Sequence, residues 1–409
     1  MSLTMPSCRS CGSADLTTFL SLGKVPLVDA LLREEDLHKP EGRYPLEVAF
    51  CGTCSLVQIF ETVPPEVLFG RDYPYYSSFS DTLLEHSRSN AHSLIASLKL
   101  GASSLVMELA SNDGYLLQYF AERNIPVLGI DPAEGPAQVA TKKGIPTLCT
   151  FFGRDLALQL RKEGTRADVI LANNVLAHVA DLNGFVEGIT ILLKENGVAV
   201  IEVPYVKDLI DHGEFDTIYH EHLCYFSVAA LGALFRRHGL SLNHVEHHPI
   251  HGGSLRLFVG ARKEVTDSVQ NYLKEESEQK LTELSYYEDF ASRVLAIKDA
   301  LLAMLQDLKT QGKRLAAYGA AAKGAILLNY TGIGLDLLDF VVDRNIHKQG
   351  RFMPGVRIPI YNPARLLEQM PDYVLILPWN FKDEILYQQD EYRQKGGRFI
   401  IPIPFPQVL

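Results

Sequence analysis

The stretch MELASNDGYLLQYF, residues 107–120, joins an apolar run to a helical pattern through a short polar turn. The apolar run predicts a buried strand, and YLLQYF predicts a helix. The start of such a helix has free N–H groups that suit a polar or anionic ligand. A dinucleotide site would need G-x-G-x-x-G here for close approach to a pyrophosphate, but the turn from Ala110 to Gly114 has one glycine. We therefore expect the turn to bind the ammonium and carboxylate of an amino acid.

The sequence on either side of this turn alternates between strand and helix patterns. A helical pattern over residues 80–100 precedes it, and LNGFVEGITILLKENG predicts a later helix that ends at Gly197. The predicted strands are continuous apolar runs: SSLVMELA, PVLGID, ADVILANN and VAVIEVPY. Such runs, separated by helices, predict a parallel sheet that is covered on both faces.

A second alternation of strands and helices follows a charged helical stretch over residues 267–310. We expect one or two long helices in that stretch, bridging two domains. Beyond it, RLAAYGA, LDFVVD, YVLILP and RFIIPIP predict a second, smaller Rossmann-like sheet. The fold class is therefore α/β, with a central Rossmann-like domain at 78–258, an N-terminal module at 1–77 and a C-terminal Rossmann-like domain at 259–409.

Four of the six cysteines form two pairs near the N-terminus, Cys8 with Cys11 and Cys51 with Cys54. Each C-x2-C spacing lets two thiolates meet one tetrahedral ion, so the two pairs predict a four-sulfur zinc site. A redox dithiol would need only one pair. Because four thiolates leave no open position, we expect the zinc to be structural.

Acidic and amide residues at the strand ends indicate the cofactor. Glu108 ends the first strand, and Asp131, 23 residues later, ends the second, where a carboxylate binds ribose hydroxyls. Together with the turn they favour S-adenosylmethionine over NAD, although Asp131-Pro132 is also compatible with a plain turn. Asn173, Asn174 and His178 follow another strand end and would face the ligand. The predicted cofactor contacts are Glu108, Ala110, Ser111, Asn112, Gly114, Asp131, Pro132, Asn173 and Asn174.

Composition excludes several classes of protein. A net charge of -10 over 409 residues argues against a general nucleic-acid binder, which would carry a basic patch. The N-terminus lacks the pattern of a secretory signal, and no apolar run approaches the length of a membrane span. We expect a cytoplasmic protein with no membrane partner, acting as a monomer or homodimer.

The segment DTIYHEHLCYFS, residues 216–227, concentrates polar groups but lacks the H-E-x-x-H spacing of a zinc protease. Three interpretations stay open at this point: a catalytic segment, a solvated loop, or a metal site shared with HVEHHPIHGG. In the C-terminal domain, YGAAAKGAILLNY predicts another helix start that suits phosphate, with Lys323 adding charge. Arg344 and Lys348 are further candidates, although small residues there also serve helix–sheet packing.

The cysteine pairs, ELASNDG, GIDP, YHEHLCYFS, HGGSLR, YGAAAKG and VVDRNIHKQGRFMPG occur in an order similar to the sugar C-methyltransferases. The resemblance covers nearly the whole chain. It implies a zinc-binding module, a central S-adenosylmethionine-dependent methyltransferase domain and a C-terminal Rossmann-like domain. It also implies a nucleotide-linked 4-keto-6-deoxysugar as substrate, methylated at C-3 through an enolate. The competing hypotheses are an NAD-dependent nucleotide-sugar oxidoreductase and a zinc-ribbon adaptor.

The resemblance also implies roles for individual residues. His222 would be the base that removes the C-3 proton. Tyr219, three residues earlier, would share a face with it if the segment makes a helical turn, and would bind the enolate oxygen. Glu221 would orient a histidine or contact a sugar hydroxyl, and His178 is a further catalytic candidate. One tyrosine of DYPYYSSFS completes the catalytic set, with Tyr73 preferred, while Tyr75 and Tyr76 are expected to contact the sugar, together with Lys323, Arg344 and Lys348.

Overall fold

The computed structural model describes residues 6–68 and 75–409. Three sheets contain the strands of these residues: a four-stranded, a seven-stranded and a six-stranded sheet. The two larger sheets are mostly parallel and are flanked by helices, whereas the small one is antiparallel. The predicted α/β class, with its N-terminal module and two Rossmann-like units, is therefore confirmed.

The N-terminal module is built on β1 (Leu16–Val25), β2 (Tyr44–Cys51) and β3 (Val57–Ile59), followed by the short helix α1 (Pro65–Leu68). The three strands pair antiparallel in chain order. Leu46 and Val48 of β2 are buried while Glu47 between them is exposed, which is the alternation of a strand with one face on a core.

The central domain contains seven helices and eight strands. The helices are α2 (Asp81–Ser97), α3 (Gln118–Ala121), α4 (Glu134–Lys142), α5 (Arg154–Lys162), α6 (Leu182–Leu192), α7 (Val206–His212) and α8 (Val228–Arg237). The strands are β4 (Val106–Leu109), β5 (Val127–Ile130), β6 (Thr147–Leu148), β7 (Ala167–Asn173), β8 (Leu193–Pro204), β9 (Cys224–Tyr225), β10 (Ser241–His248) and β11 (Ser254–Gly260). All but β9 form the seven-stranded sheet.

The strand order of this sheet is β10-β11-β8-β7-β4-β5-β6, with β11 antiparallel to both of its neighbours. The order reverses beside β4, because β5 lies on one side of it and β7 on the other. A crevice forms at such a reversal outside the carboxyl ends of the strands, where open α/β sheets bind ligands. The turn that follows β4 lies at this crevice.

Two local predictions need correction. The helix expected to end at Gly197 ends at Leu192, because Leu193 already pairs with Ala167 and the chain enters β8 there. The helix expected to follow the turn directly is shorter, since α3 begins only at Gln118. Tight turns lead into it, and the Gln118 N–H donates to the carbonyl of Gly114 at 3.1 Å. The polar turn is therefore separated from a helix start by several residues.

The C-terminal domain begins with two helices, α9 (Asp267–Glu278) and α10 (Phe290–Thr310), in the charged stretch where one or two helices were expected. Its sheet has the order β14-β13-β12-β15-β16-β17 and is parallel except for β17. Its strands are β12 (Leu315–Tyr318), β13 (Val341–Val342), β14 (Ile360–Tyr361), β15 (Tyr373–Ile376), β16 (Arg398–Ile401) and β17 (Gln407–Val408). Its remaining helices are α11 (Ala322–Thr331), α12 (Arg365–Gln369), α13 (Lys382–Gln388) and α14 (Asp390–Gln394).

One continuous apolar cluster links the three parts of the chain. Helix α10 buries a stripe with helical spacing, formed by Phe290, Val294, Ile297, Leu301 and Leu305. Burying side chains of this size stabilises the fold by about 1.5–3 kcal/mol each. Of the described residues, none belongs to a helix that is both long and apolar enough to span a membrane.

Candidate active site

A cavity of about 560 Å³ lies at the carboxyl ends of β4, β5 and β7. The N-terminal module contributes Asp29 to its wall, the central domain contributes Asp131 and His222, and the C-terminal domain contributes Lys323 and Lys348. The predicted ligand-binding crevice of the central sheet is thus closed over by both flanking parts of the chain. We name the two walls after the ligands that the resemblance predicts for them. The wall formed by the strand ends is the donor side, for the methyl donor, and the wall around His222 and the two lysines is the acceptor side, for the sugar.

The turn after β4 is organised by Asp131. One carboxylate oxygen of Asp131 accepts the N–H of Asn112 at 2.8 Å, and the other accepts the N–H of Ala133 at 2.8 Å. Asn112 in turn accepts the N–H of Ser77 at 2.9 Å on its side-chain oxygen. Burial raises the pKa of Asp131 to about 6. These contacts join the first two strand ends and the chain before α2 into one rigid rim.

Three non-glycine residues on the donor side have left-handed backbone conformations. The φ angles are +57° at Ala110, +49° at Asn112 and +54° at Asn174. Such conformations cost of order 1 kcal/mol or more for residues with a Cβ and cluster at functional sites. Asn173 and Asn174 also have buried side-chain oxygens with no hydrogen-bond partner in the described protein. A bound ligand that donates hydrogen bonds would satisfy these two oxygens.

The predicted cofactor residues divide into wall residues and supporting residues. Ala110, Asn112, Asp131, Pro132, Asn173 and Asn174 line the cavity. Glu108, Ser111 and Gly114 do not line it. Glu108 is fully buried behind the wall, both of its carboxyl oxygens have no partner among the described residues, and burial raises its pKa well above the usual value. Gly114 has φ +77°, and a Cβ there would lie 3.1 Å from the side chain of Ile145.

The acceptor side centres on a tight turn from Tyr219 to His222, in which the His222 N–H donates to the Tyr219 carbonyl at 2.9 Å. The two side chains meet across it: the rings stack with centroids 4.0 Å apart, and the Tyr219 hydroxyl lies 2.9 Å from His222 Nε2. The spacing of three residues was expected to bring them onto one face of a helical turn. A single β-turn brings them together instead.

The hydrogen bonds of His222 define its tautomer. Nδ1 lies 2.9 Å from the carbonyl of Thr217, which can only accept, so Nδ1 carries the proton. Nε2 is then an unprotonated acceptor for the Tyr219 hydroxyl. Burial, reinforced by His178 and Lys323, lowers the pKa of His222 well below the usual value. The ring is therefore a neutral imidazole with one basic lone pair.

Two further predicted residues flank this turn. The ring of His178 lies 4.7 Å from that of His222 in an edge-on arrangement, and burial lowers the pKa of His178 to about 4. Glu221 lines the cavity, and burial and nearby Asp29 raise its pKa well above the usual value, while Lys348 opposes the shift. Both histidines are thus neutral at neutral pH, and Glu221 lies among charged groups of the two flanking domains.

The three predicted cations of the C-terminal domain have different surroundings. Lys323 lies at the start of α11, donates to the Asn380 side chain at 2.8 Å and rests over the Trp379 ring at 4.3 Å. Lys348 is buried and donates to the Ala320 carbonyl at 2.7 Å. Both line the cavity, but Arg344 does not. Its guanidinium forms surface ion pairs at 3.3 Å with Asp81 and Glu384.

The tyrosines of DYPYYSSFS that the structure describes have different surroundings. Tyr73, the preferred catalytic candidate, lies outside the described residues. Tyr75 lines the cavity and is partly exposed to solvent. Tyr76 is not a wall residue, and its ring stacks on His347 at 4.8 Å.

Several wall residues were missed by sequence reasoning, including Asp29, Phe151, Glu214, His251 and Asn380. Asp29 and Asn380 belong to segments without a motif. His251 belongs to the histidine-rich run HVEHHPIHGG, and its left-handed backbone (φ +60°) next to two glycines marks an unusual turn. That run was a usable signal, although its histidines were considered only as metal ligands and HGGSLR only as part of the resemblance.

The four paired cysteines converge as predicted. Their sulfur atoms all lie within 4.8 Å of one another, with Cys8 and Cys54 at 3.5 Å and Cys11 and Cys51 at 3.7 Å. Zinc–sulfur bonds of about 2.3 Å place the sulfurs of a tetrahedral site about 3.8 Å apart, so the residues fit zinc. Within residues 6–68 and 75–409, no other set of His, Cys, Asp or Glu side chains converges in this way. The alternative metal site in the histidine-rich segments is therefore not supported.

Three family models match the chain in sequence order. Residues 8–69 match a zinc binding domain, residues 84–245 a methyltransferase domain, and residues 249–404 a C-methyltransferase C-terminal domain. The third match includes β12 to β16 and therefore most of the second parallel sheet. The matches leave little of the chain outside them.

Individual proteins are similar to this chain over nearly its whole length or over about half of it. The C-methyltransferase NovU of Streptomyces niveus is 35% identical over 405 residues, which cover 98% of this chain and 96% of the relative. Among solved structures, magnesium protoporphyrin IX methyltransferase of Synechocystis PCC 6803 with bound SAM is 15% identical, with a TM-score of 0.34, over 43% of this chain and 78% of the other. The 1,6-didemethyltoxoflavin-N1-methyltransferase of Burkholderia thailandensis is 17% identical, with a TM-score of 0.36, over 52% and 94%.

The residues of the donor side fit S-adenosylmethionine. The unpaired Asn173 and Asn174 oxygens can accept from its ammonium group, and the Asp131 carboxylate at the second strand end can accept from its ribose hydroxyls. The four converging thiols fit a structural zinc ion. With a full-length relative and three consecutive domain matches, the chain belongs to the family of S-adenosylmethionine-dependent C-methyltransferases.

Proposed function

We propose that the enzyme methylates C-3 of a nucleotide-linked 4-keto-6-deoxysugar. The observation that supports this most directly is the Tyr219–His222 pair, which opens into the same cavity as the donor side. A carbon atom attacks a methyl group on sulfur only when it is electron-rich. A ketone at C-4 makes the neighbouring C–H acidic, so a neutral base and a hydrogen-bond donor are the two groups that the reaction needs.

His222 is the base in this proposal. Its Nε2 lone pair is available at neutral pH because the ring is neutral, and Nδ1 is held by the Thr217 carbonyl. In the free enzyme Nε2 accepts the Tyr219 hydroxyl. When the sugar ketone enters, this hydroxyl turns to the ketone oxygen, which frees Nε2 to remove the C-3 proton. General bases of this kind contribute about 100- to 10,000-fold to the rate.

Tyr219 then stabilises the enolate that proton removal creates. Its hydroxyl donates to the enolate oxygen in a site shielded from water, where such a bond is stronger than in solution. Bound S-adenosylmethionine would supply the methyl group for this electron-rich carbon, and its sulfonium sulfur would leave as the neutral thioether of S-adenosylhomocysteine. His178, edge-on to His222, and the buried Glu221 beside it complete the polar wall around the sugar ring.

The lysines of the C-terminal domain support a nucleotide diphosphate as the handle of the acceptor. Lys323 and Lys348 both line the cavity, and Lys323 lies at the N-terminus of the ten-residue helix α11. A helix start and an ammonium group together favour phosphate. Phe381, which also lines the cavity, adds an aromatic surface to its wall.

An oxidoreductase is no longer a competing proposal. The turn after β4 lacks the glycines that a dinucleotide pyrophosphate requires, and the matching families are methyltransferases. The adaptor hypothesis also gains no support, since the zinc module forms part of the cavity wall through Asp29. Cytoplasmic location and a monomeric or homodimeric state stay predictions.

The direct test is incubation with methyl-labelled S-adenosylmethionine and a panel of nucleotide 4-keto-6-deoxysugars, read by mass spectrometry and carbon NMR. We expect a mass gain of one methyl group, with the label on C-3. A label on C-5, the other carbon next to the ketone, would contradict the position of methylation but keep the enolate chemistry. Labelling of oxygen or nitrogen would overturn the proposal.

A further inference from the structure

We propose that His220, the first histidine of the H-E-H segment, is a positioning residue that fixes the catalytic turn to the zinc-binding module. The inference deepens the proposed function, since it assumes that His222 and Tyr219 carry out the chemistry. His220 is the second residue of the turn that runs from Tyr219 to His222. Its neighbours Tyr219, Glu221 and His222 line the cavity, but His220 does not.

The side chain of His220 points out of the turn and into the N-terminal module. Its Nε2 lies 3.0 Å from the carbonyl of Pro45 in β2, and its ring meets Tyr44 edge-on at 5.7 Å. Only 1% of the residue is exposed. This buried contact joins residues 175 positions apart in the sequence and connects the turn to the N-terminal module.

Hydrogen bonds on the C-terminal side of the turn attach it to the same module. The Ile59 N–H donates to the Leu223 carbonyl at 3.0 Å, and β9 then pairs antiparallel with β3. The four-stranded sheet of the zinc module thus takes its last strand from the residues just after His222. Cys51 and Cys54, two of the zinc ligands, lie on the hairpin between β2 and β3.

The inner side of the turn is held by the central domain. Leu223 N–H donates to the Ala177 carbonyl at 2.7 Å, next to His178. The turn is therefore fixed between the module outside and the strand ends inside, and His220 is its outer side-chain contact. Without that contact, the 2.9 Å distance between Tyr219 and His222 would depend on backbone hydrogen bonds of the turn and on the bond of His222 Nδ1 to the Thr217 carbonyl, with no side-chain contact to the zinc-binding module.

The chemistry of His220 suits a fixed donor and not a base. The Pro45 carbonyl can only accept, so Nε2 carries the proton, and burial lowers the pKa of the ring. Nδ1 is buried and has no hydrogen-bond partner in the described protein. It is also absent from the cavity wall, so it does not reach the substrate. The residue contributes to catalysis through the position of His222.

The test compares His220→Phe, which keeps a ring but loses the donor, with His220→Gln, which keeps a side-chain N–H. His38→Phe, at an exposed histidine of the same module, is the matched control. We expect His220→Phe to lower kcat about 10- to 100-fold, since small displacements of reacting groups cost this much, with little change in the donor Kd or in bound zinc. His220→Gln should recover most of the rate.

A second readout does not depend on the acceptor. In protein labelled with ¹⁵N-histidine, the His222 signals, assigned by their loss in His222→Asn, should show a neutral ring protonated at Nδ1. We expect His220→Phe to convert this into a mixture of tautomers and His38→Phe to leave it unchanged. An unchanged His222 spectrum in His220→Phe would overturn the positioning role. If no 4-keto sugar is methylated by the wild type, the proposed function fails, but the spectra still test His220.

Discussion

The donor side and the acceptor side of the cavity are built in different ways. The donor side comes from consecutive strand–turn units of one sheet, and its polar groups follow β4, β5 and β7 directly. The acceptor side is assembled from all three parts of the chain: Asp29, the turn around His222, and Lys323 with Lys348. Under the proposed function, the fold of one domain supplies the donor site, whereas the acceptor site needs the packing of all three parts of the chain. Loss of the proposed base, of a zinc ligand, of the Asp131 charge or of a wall lysine should each affect one side of the cavity more than the other.

The largest effect should follow from His222→Asn. Without a base, we expect kcat to fall by about 100- to 10,000-fold, because His222 Nε2 is the lone pair that the Tyr219 hydroxyl contacts. S-adenosylmethionine should still bind because the donor side is unchanged. The acceptor should still bind because Lys323 and Lys348 are unchanged. Calorimetric titration with S-adenosylmethionine and with the acceptor checks binding. A variant that keeps normal turnover would remove His222 from the role of base.

Loss of zinc should damage the acceptor side more than the donor side. Cys11→Ser removes one ligand of the site, which loosens the sheet that holds β9 beside His222. We expect kcat to fall by about 100-fold while the donor Kd changes by less than about threefold. Cys149→Ser, at an exposed cysteine outside the site, is the control and should keep one zinc per chain. Equal loss of donor binding in Cys11→Ser would contradict the separation of the two sides.

Acid should weaken the donor side through Asp131. Burial raises the pKa of Asp131 to about 6, so the carboxyl becomes protonated as the pH falls through 6. Once protonated, it no longer accepts the two backbone N–H groups and the ribose hydroxyls together. We expect about tenfold weaker donor binding at pH 5 than at pH 7. Asp131→Asn should bind weakly with no such pH dependence. Because the folded state raises the pKa of this carboxyl from 3.8 to about 6, the group lowers folding stability progressively as the pH rises between these two values. Acidification through this group therefore stabilises the fold, and unfolding does not explain the loss of binding.

The smallest separable effect should come from the cations of the C-terminal domain. Lys323→Met removes a charge on the cavity wall, and we expect the acceptor KM to rise about fivefold with the donor Kd unchanged. Arg344→Met should change either constant by less than about twofold, since its surface ion pairs contribute little. Steady-state kinetics with both variants give the comparison. A larger effect on the acceptor KM at Arg344 than at Lys323 would contradict the role of Lys323 in acceptor binding.

Local patterns were sufficient for much of the fold. The continuous apolar runs of β4, β7 and β8 were predicted because buried parallel strands need no alternation, and the two C-x2-C pairs predicted the sulfur cluster. The error at α6 arose because Leu193, Lys194 and Glu195 are good helix formers, but the pairing of Leu193 with Ala167 overrode that preference. Propensity gives way to tertiary pairing in such segments.

The sequence predicted some residues of the candidate site and missed others, again because tertiary packing decides what local patterns do not. Asp131, Asn173 and Asn174 follow strands that could be recognised, so their place at one sheet edge followed from topology. Glu108 lies within β4 and Ser111 lies in the turn after it, and both are buried without lining the cavity, which the motif itself does not indicate. Asp29 and Asn380 reach the cavity only through packing between domains, for which their own segments carry no signal.

By itself, the sequence determined the α/β class, the four thiolate ligands and the strand-end residues of the donor side, because these depend on period and spacing within short stretches of chain. Only the tertiary structure decided that β9 joins the sheet of the zinc module, that His220 bonds to Pro45, and that Lys323 shares a cavity with His222 while Arg344 does not. These contacts join residues more than 100 positions apart or turn on which way a side chain faces after the domains pack. No local preference encodes them, since each depends on the summed burial of three domains.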